Sequence, residues 1–408
     1  MNNDNKLVLS AAEGLIPKYR FPEFKNDGNW GDSNLKKIAS ITIGEFVIKS
    51  KQNPNSPYPV YNGGRSYTGF YDEYNNTENK IVISARGANA GFVNLVKQKF
   101  WGGNSCYAID ILNEKKHKLD YIYYFIKHNQ RLFTENQHAA NIPSVSKTDV
   151  EKFKILLPTN PAEQQKIAEC LSSLDDVIAG YEEKLTALEE HKKGLMQNLF
   201  PQEGETQPKY RFPEFENDGD WVEKKLGELG DPLMCKRIFK EETTIQKDGT
   251  IPFYKIGTFG KEPDAFISVE KYEDYKNRFS FPKKGDILIS ASGTIGRLVI
   301  YDGKPAYFQD SNIIWLGHEE DVIKNTFLLY VYENLNWQTS DGGIISRLYN
   351  SDFKKMKVKY PENTDEQQKI ASVLSSVDEL IVAQREKIEA LKEHKKGLMQ
   401  GLFPKIES

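Results

Sequence analysis

Hydrophobic residues recur with a seven-residue period in two stretches of the chain, at 163–201 and 366–404. Within each stretch they alternate in steps of four and three residues, which is the a/d spacing of a coiled-coil helix. The pattern predicts two helices, each roughly 55 Å long at about 1.5 Å per residue. The predicted seam, which would form a coiled-coil or subunit interface, comprises Ile167, Leu171, Leu174, Ile178, Tyr181, Leu185 and Leu188, then Ile370, Leu374, Val377, Ile381, Ile388 and Leu391.

The two stretches are copies of one another, because 26 of their 39 residues are identical at a constant shift of 203. We expect the two helices to pair as an antiparallel coiled coil. Gln384 is the polar residue of the second seam, and a single polar group can fix the register of such a pair. Two alternatives are that the seams are shared with helices of other subunits, or that each helix is solvated and covers its own domain.

A second duplicated segment, which we call the strap, lies at residues 17–30 and 208–221. The two copies share 12 of 14 positions, and both contain the run RFPEF. Proline flanked by aromatic residues favours an extended backbone with apolar rings. We expect these straps to dock onto the scaffold through Phe21, Phe24 and Trp30, and through Phe212, Phe215 and Trp221. Stacking of the rings on nucleic-acid bases is the less favoured alternative, because near-identical straps precede dissimilar blocks.

Between strap and long helix, each block is rich in short β patterns separated by Gly, Asn and Pro. In the first block the pattern predicts strands at 42–50, 58–64, 80–87, 91–96 and 105–112, and a helix at 119–133. In the second block it predicts strands at 251–257, 285–293, 296–303 and 312–317, and a helix at 326–337.

The chain is therefore expected to be an α+β protein that repeats strap, variable block and long helix with pseudo-twofold symmetry. The predicted boundaries place an N-terminal arm and strap at 1–30, a first variable block at 31–160 and a first long helix at 161–201. They then place a linker and second strap at 202–221, a second variable block at 222–361, and a second helix with the C-terminus at 362–408. A shared framework that carries dissimilar blocks suggests two different binding surfaces.

Composition and charge narrow the class of protein. A chain of 408 residues with 38% hydrophobic and 28% charged residues is typical of a globular protein of two or three domains. The net charge is −3, but residues 31–160 hold 17 Lys and Arg against 11 Asp and Glu, which favours a polyanionic partner there. The three dispersed cysteines indicate neither a disulfide framework nor a zinc site. Without an export signal or an 18-residue apolar run, we expect a cytoplasmic protein.

The runs EQQKIA and HKKGLMQ–LFP of the long stretches, together with RFPEF, resemble the DNA specificity subunits of type I restriction–modification systems. The resemblance covers the whole chain. It implies that the two variable blocks are recognition domains, each reading one half of a bipartite double-stranded DNA target. It also implies that the helices fix the gap between the two halves. It also implies two adenine-methylating modification subunits and two motor/nuclease subunits as partners. S-adenosylmethionine, ATP and Mg would be bound by those partners, with no cofactor in this chain.

The residues themselves indicate no chemistry of their own. The chain has no N-P-P-aromatic methylation motif, no phosphate-binding P-loop, no His/Cys metal pattern and no recognisable catalytic triad. We therefore expect a non-catalytic subunit. A coiled-coil adaptor with two protein- or glycan-binding β domains is the alternative, which the basic first block disfavours. A hydrolase or transferase is the third and weakest reading.

Polar side chains and glycines in the predicted turns are the candidates for DNA contact, because Arg, Lys, Asn, Gln, Ser and Thr read base edges or hold phosphates. In the first block they are Asn62, Gly63, Gly64, Arg65, Ser66, Arg86, Asn89, Lys97, Lys99, Gln137, His138 and Asn141. In the second block they are Lys255, Thr258, Ser292, Thr294, Arg297, Gln309, Asn312, Ser346 and Arg347. Each one alone could equally be an ordinary turn or surface residue. For four lysines near the helix ends we favour interaction with the helix dipole and solvent over phosphate binding; they are Lys192, Lys193, Lys395 and Lys396.

Overall fold

Each of the two long helices contributes to both of the units into which the chain divides. The computed structural model describes residues 15–135, 143–337 and 347–406. Unit 1 comprises residues 1–183 and 385–408, and unit 2 comprises residues 184–384. Each unit therefore combines one β-rich domain with the beginning of one long helix and the end of the other.

Unit 1 contains short strands, short helices and the start of the first long helix. Three 3₁₀ turns lie at Pro22–Phe24, Lys49–Lys51 and Gln130–Phe133. The strands are β1 (Gly31–Asn34), β2 (Ala39–Ile43), β3 (Tyr58–Tyr61), β4 (Gly69–Tyr71), β5 (Lys80–Ser84), β6 (Val93–Val96), β7 (Trp101–Gly102), β8 (Cys106–Ile111) and β9 (Lys154–Leu157). The helices are α1 (Leu35–Ile38), α2 (Leu119–His128), α3 (Lys147–Lys152) and the long helix α4 (Pro161–Leu199).

Unit 2 repeats this order and adds one helix. Its 3₁₀ turns lie at Pro213–Phe215 and Lys240–Glu242. The strands are β10 (Val222–Lys225), β11 (Asp231–Leu233), β12 (Thr250–Tyr254), β13 (Phe266–Ser268), β14 (Ile287–Ser290), β15 (Leu298–Ile300), β16 (Tyr307–Phe308), β17 (Ile313–Gly317) and β18 (Lys357–Tyr360). The helices are α5 (Leu226–Leu229), α6 (Val269–Arg278), α7 (Asn325–Asn334), α8 (Asn350–Lys355) and the long helix α9 (Thr364–Leu402).

The strand order is the same in the two domains. A four-stranded antiparallel sheet runs β2-β8-β5-β6 in unit 1 and β11-β17-β14-β15 in unit 2. A three-stranded sheet runs β4-β3-β7 and β13-β12-β16, and in each the last pair is parallel. A two-stranded ribbon, β1-β9 or β10-β18, joins the end of the strap to the residues before the long helix. The dissimilar blocks therefore share one topology.

The hydrophobic core of each unit includes its strap. Trp30 is 1% exposed and lies in a cluster with Tyr121 of α2 and Leu171 of α4. In unit 2, Trp221 packs edge-on against Phe327 of α7, with ring centroids 5.7 Å apart. Phe21 and Phe212 are partly buried against the two cores, whereas Phe24 and Phe215 are buried outside these clusters. The prediction that the straps dock on the scaffold is confirmed, with the two tryptophans inside the cores.

The seam predicted from the heptad pattern is the buried face of both long helices. All thirteen of its residues are buried or half-buried. Ile167 and Leu171 belong to the core of unit 1, and Ile370 and Leu374 belong to that of unit 2. The seam residues in the first turns of each long helix therefore pack against a domain. The heptad spacing had predicted only that the seams pair with another helix.

The long helices run antiparallel within unit 1. Asp175 of α4 pairs with Lys395 of α9, and Glu182, seven residues later, pairs with Lys392, three residues earlier. The predicted α+β fold with two β-rich domains, each followed by a long helix that pairs antiparallel with the other, is confirmed.

Some predicted bounds are wrong, and several short elements were not predicted. The strand expected at 42–50 ends at Ile43, and at the next residue, Gly44, a Cβ atom would come within 2.2 Å of the Gly102 carbonyl oxygen. The helix expected at 119–133 ends at His128 and continues as a 3₁₀ turn. Helix α6 was not predicted, because Tyr272 is its buried side chain and the rest of its pattern is polar.

Candidate nucleic-acid interface

A buried ion pair attaches each strap to the start of a long helix. Arg20 donates to both carboxylate oxygens of Glu163, at 2.8 and 2.7 Å. The Trp30 indole N–H also donates to Glu163, at 3.4 Å. In unit 2, Arg211 binds Glu366 in the same bidentate way at 2.8 and 2.7 Å. These contacts explain why the strap and the EQQKIA run are duplicated together.

The next residue of the same run holds the domain helix. The Gln164 side chain accepts the backbone N–H of Lys118 at 3.0 Å and donates to the Lys116 and Pro158 carbonyls at 3.2 and 3.1 Å. Gln367 repeats the arrangement in unit 2, where its partners are Lys324, Val322 and Pro361. The glutamines therefore fix the chain at the start of α2 and α7 relative to the long helices.

A Lys–Asp–Tyr triad joins three helices in each unit. In unit 1, Asp175 of α4 accepts a hydrogen bond from the Tyr124 hydroxyl of α2 at 2.7 Å and binds Lys395 of α9. In unit 2 the members of the triad are Asp378, Tyr330 and Lys192. The two lysines are thus ion-paired between helices, which corrects the expectation of dipole and solvent contacts. The antiparallel pairing brings each one opposite an aspartate of the other helix.

Two of the predicted DNA-contacting loops in unit 1 lie side by side. The Ser84 hydroxyl donates to the Gly64 carbonyl at 2.9 Å, and the Arg65 guanidinium donates to the Asn89 side chain at 3.2 Å. Gly63 and Gly87 have φ angles of +81° and +85°, which favour glycine at both turns. The structure therefore brings together Asn62, Gly63, Gly64, Arg65, Ser66, Arg86 and Asn89.

The side chains at this edge of unit 1 are available for polar contacts. Arg65, Ser66 and Arg86 are exposed. Arg86 lies in an isolated bridge with Ser144, and the Gly87 N–H donates to the Pro143 carbonyl at 3.0 Å. Asn62 is more constrained, because its side chain accepts the Ser105 N–H at 3.0 Å.

Lys97 and Lys99 do not join this group. In the β5–β6 hairpin, Ile83 pairs with Val93 near the turn, whereas Lys80 pairs with Val96 at the opposite end. Lys97 follows that far end and forms an ion pair with Asp120 at 3.6 Å. Lys99 donates to the Tyr74 hydroxyl at 3.1 Å.

The corresponding edge of unit 2 gathers all the described candidates of the second block. The Ser292 hydroxyl donates to the Asn312 side chain at 2.8 Å, and Ser292 forms the isolated bridge with Arg347. Thr294 and Arg347 are exposed. Several other candidates are tied into the loops by their side chains, as Arg297 is to the Phe259 carbonyl at 2.9 Å.

The remaining candidates of the second block form hydrogen bonds that hold the turn after β12. The Thr258 hydroxyl accepts the Lys255 N–H at 3.1 Å, and Gln309 accepts the Ile256 N–H at 3.0 Å. Lys255 also pairs with Asp264 at 2.9 Å. The predicted contacts Gln137, His138, Asn141 and Ser346 lie outside the described residues.

Sequence reasoning missed Lys127 and Phe92, which adjoin the first edge. Lys127 is on the last turn of α2, and its ammonium lies 3.6 Å from the centre of the Phe92 ring. Its position in an apolar helix pattern gave no functional signal, because the ring it touches is 35 residues away in the chain.

In the described part of the chain, potential metal ligands are not clustered, and two of the three cysteines are buried. Within residues 15–135, 143–337 and 347–406, no group of three or more His, Cys, Asp or Glu side chains could hold a metal ion. Burial raises the pKa of the Cys106 and Cys235 thiols to about 12. None of the described helices is long and apolar enough to span a membrane.

Known proteins share both the sequence pattern and the fold. The model of the type I restriction modification DNA specificity domain matches residues 27–190 and 218–393. A Haemophilus influenzae protein named as a type I restriction enzyme specificity subunit is 34% identical over 352 residues, which cover 85% of this chain and 87% of that protein. The type I restriction enzyme MjaVIII specificity subunit of Methanocaldococcus jannaschii is 27% identical over 345 residues, covering 80% of this chain and 78% of that one.

The crystal structure of a type I restriction–modification S subunit from M. genitalium matches with a TM-score of 0.67 at 20% identity. The match covers 96% of this chain and 100% of that one, so the two share a fold. The family model and the Haemophilus influenzae relative together define a DNA-specificity protein built from two repeated domains. The chain belongs to the type I restriction–modification DNA specificity family. Specificity subunits are non-catalytic in type I systems.

Proposed function

We propose that this chain reads a bipartite double-stranded DNA target, with the domain of unit 1 reading one half and the domain of unit 2 reading the other. The observation that supports this most is the pair of edge bridges. Arg86 faces Ser144 in unit 1, whereas Ser292 faces Arg347 in unit 2. The bridge arginine follows β5 in unit 1, whereas in unit 2 it precedes α8. The equivalent edges of the two domains therefore present different side chains, which supports two unlike half-sites.

The long helices set the number of base pairs between the half-sites. Each is an uninterrupted helix of 39 residues, and such a helix is about 58 Å long at roughly 1.5 Å per residue. Near-identical straps and ion pairs attach a domain to the first turns of each helix. A change in helix length should therefore be transmitted to the spacing of the two readers.

Insertion of one heptad into each helix tests this spacing. The insertions follow Lys184 and Lys387, which the repeat relates, and a full heptad preserves the a/d seam. Each adds about 10 Å, so the gap in the target should grow by about three base pairs at roughly 3.4 Å each. Methylome sequencing of a host that carries the chain with its modification subunit reads both half-sites and the gap.

The matched control is a seven-residue insertion after Glu203, in the exposed turn that follows α4. It should leave the gap unchanged. A gap that does not change when both helices are lengthened, while the two half-sites are still methylated, would reject the spacing role alone. If the methylome of a host that carries the unmodified chain contained no bipartite target, the proposed function would be rejected.

The repeated framework also provides two equivalent surfaces for modification subunits. Val177 and Leu380 occupy equivalent positions of the long helices and are 44% and 56% exposed. Tyr19 and Tyr210 of the straps are 47% and 57% exposed. Isolated exposed apolar side chains are common, but their recurrence at equivalent positions supports a partner surface in each unit. Two modification and two motor/nuclease subunits would then bring S-adenosylmethionine, ATP and Mg.

A further inference from the structure

A group of positive charges adjoins the loop edge of unit 1. The Lys127 ammonium donates to the Val93 carbonyl at 2.7 Å and lies 3.6 Å from the centre of the Phe92 ring. The guanidinium carbon of Arg65 lies 5.9 Å from the centre of the same ring. Two cations from different elements therefore share one aromatic side chain at the base of the turn that carries Arg86.

Lys395 adds a third positive charge to this group. It lies 4.9 Å from the centre of the Tyr124 ring, one turn before Lys127 on α2. Burial, followed by the charges of Lys395 and Arg65, lowers the pKa of Lys127 to about 8, and Asp175 opposes this. Asp175 already binds both Lys395 and Tyr124. Positive charge therefore exceeds negative charge around Lys127, and an anion there would be stabilised.

Unit 2 has the opposite charge at the equivalent position. Lys127 lies three residues after Tyr124 on α2, and Glu333 lies three residues after Tyr330 on α7. Glu333 accepts a hydrogen bond from Lys192 at 2.8 Å, while Asp378 pairs with the same lysine at 2.7 Å. The lysine of the unit 2 triad is thus bound by two carboxylates, whereas its counterpart Lys395 faces a second lysine.

We propose that Arg65, Lys127 and Lys395 form a binding site for a phosphate of the DNA backbone beside the half-site read by unit 1. Unit 2 has no equivalent site, because the negatively charged Glu333 stands at the position of Lys127. The proposal rests on the proposed function and adds a backbone contact to one half only. A phosphate is favoured over a base edge because the Lys127 ammonium is already held by the Val93 carbonyl. It can supply charge, but it is poorly placed to probe a pattern of donors and acceptors.

Lys127→Met tests this site, because methionine keeps an aliphatic stem on Phe92 and removes the charge. The complete complex with its modification subunits is titrated with a duplex carrying the methylated target and with a duplex lacking it, over a range of salt concentrations. Each neutralised phosphate adds about 0.9 to the slope of log affinity against log salt. The variant should therefore bind both duplexes about five- to tenfold more weakly near 0.1 M salt, with a slope smaller by about 0.9.

Glu333→Lys is the reciprocal variant, and Lys127→Arg keeps the charge. Glu333→Lys should increase the slope by about 0.9 for both duplexes, and Lys127→Arg should leave it unchanged. An unchanged slope in Lys127→Met, or a loss confined to the target duplex, would overturn the phosphate site. Salt-independent binding by the unmodified complex would instead overturn the proposed function, so the two failures are distinguishable.

Discussion

Glu163 connects two residues of the strap to the first long helix through one buried carboxylate. It accepts hydrogen bonds from the Arg20 guanidinium and the Trp30 indole, and its side chain is 1% exposed. The pairing raises the pKa of Arg20. A buried ion pair is weak evidence for net stabilisation, but removal of one partner leaves a desolvated charge without compensation.

Glu163→Ala should therefore lower the free energy of unfolding of the chain by about 3–5 kcal/mol, because Arg20 would remain buried and unpaired. Urea unfolding followed by tryptophan fluorescence measures the change. Glu183→Ala, at an exposed position of the same helix, is the control and should change stability by less than about 0.5 kcal/mol. The role assigned to Glu163 would be contradicted if the two variants unfolded at the same urea concentration.

At the scale of single residues, the sequence revealed what depends on local periodicity and left out what depends on distant partners. The seam residues could be predicted because their spacing repeats along one helix. The roles of Glu163 and Lys127 could not, because Arg20 is 143 residues from Glu163 and Phe92 approaches Lys127 only in the folded sheet. The duplication of EQQKIA indicated that the run belongs to the repeated framework, but it did not indicate that Glu163 forms an ion pair with Arg20.

At the scale of elements, register decides which predicted loops meet. Asn62–Ser66 and Arg86–Asn89 converge because β3 and β5 end at the same edge, where the Ser84 side chain binds the Gly64 carbonyl. Lys97 is at the other end of β6, which pairs antiparallel with β5. The turn residues could be predicted from composition, but the end of the sheet to which each belongs depends on strand pairing.

Val177→Glu and Leu380→Glu test whether the proposed surfaces on the long helices bind the modification subunits. A charged side chain at a buried partner contact is costly, so each single variant should bind one modification subunit and the double variant should bind none. Native mass spectrometry of the assembled complex counts the subunits. Glutamate at the exposed equivalent positions Lys184 and Lys387 is the control. Binding of two modification subunits by the double variant would exclude these residues from the interface.

At the scale of the whole molecule, the duplication organises the chain. Two blocks with little sequence in common adopt the same strand order, because both present apolar strands to a core that includes the strap tryptophan and the first turns of a long helix. The framework was predictable from the repeats. The shared topology, with its parallel β3–β7 and β12–β16 pairs, was not, because β7 and β16 are each two residues long and carry no pattern of their own.

The most direct test of two separate readers on one framework is a chain in which residues 31–160 replace residues 222–361. Methylome sequencing of a host expressing this chain with its modification subunit should show one of the original half-sites twice, as inverted copies, with the gap unchanged. Persistence of two unlike half-sites would contradict the account, because the bases read would then not be determined by the exchanged domain.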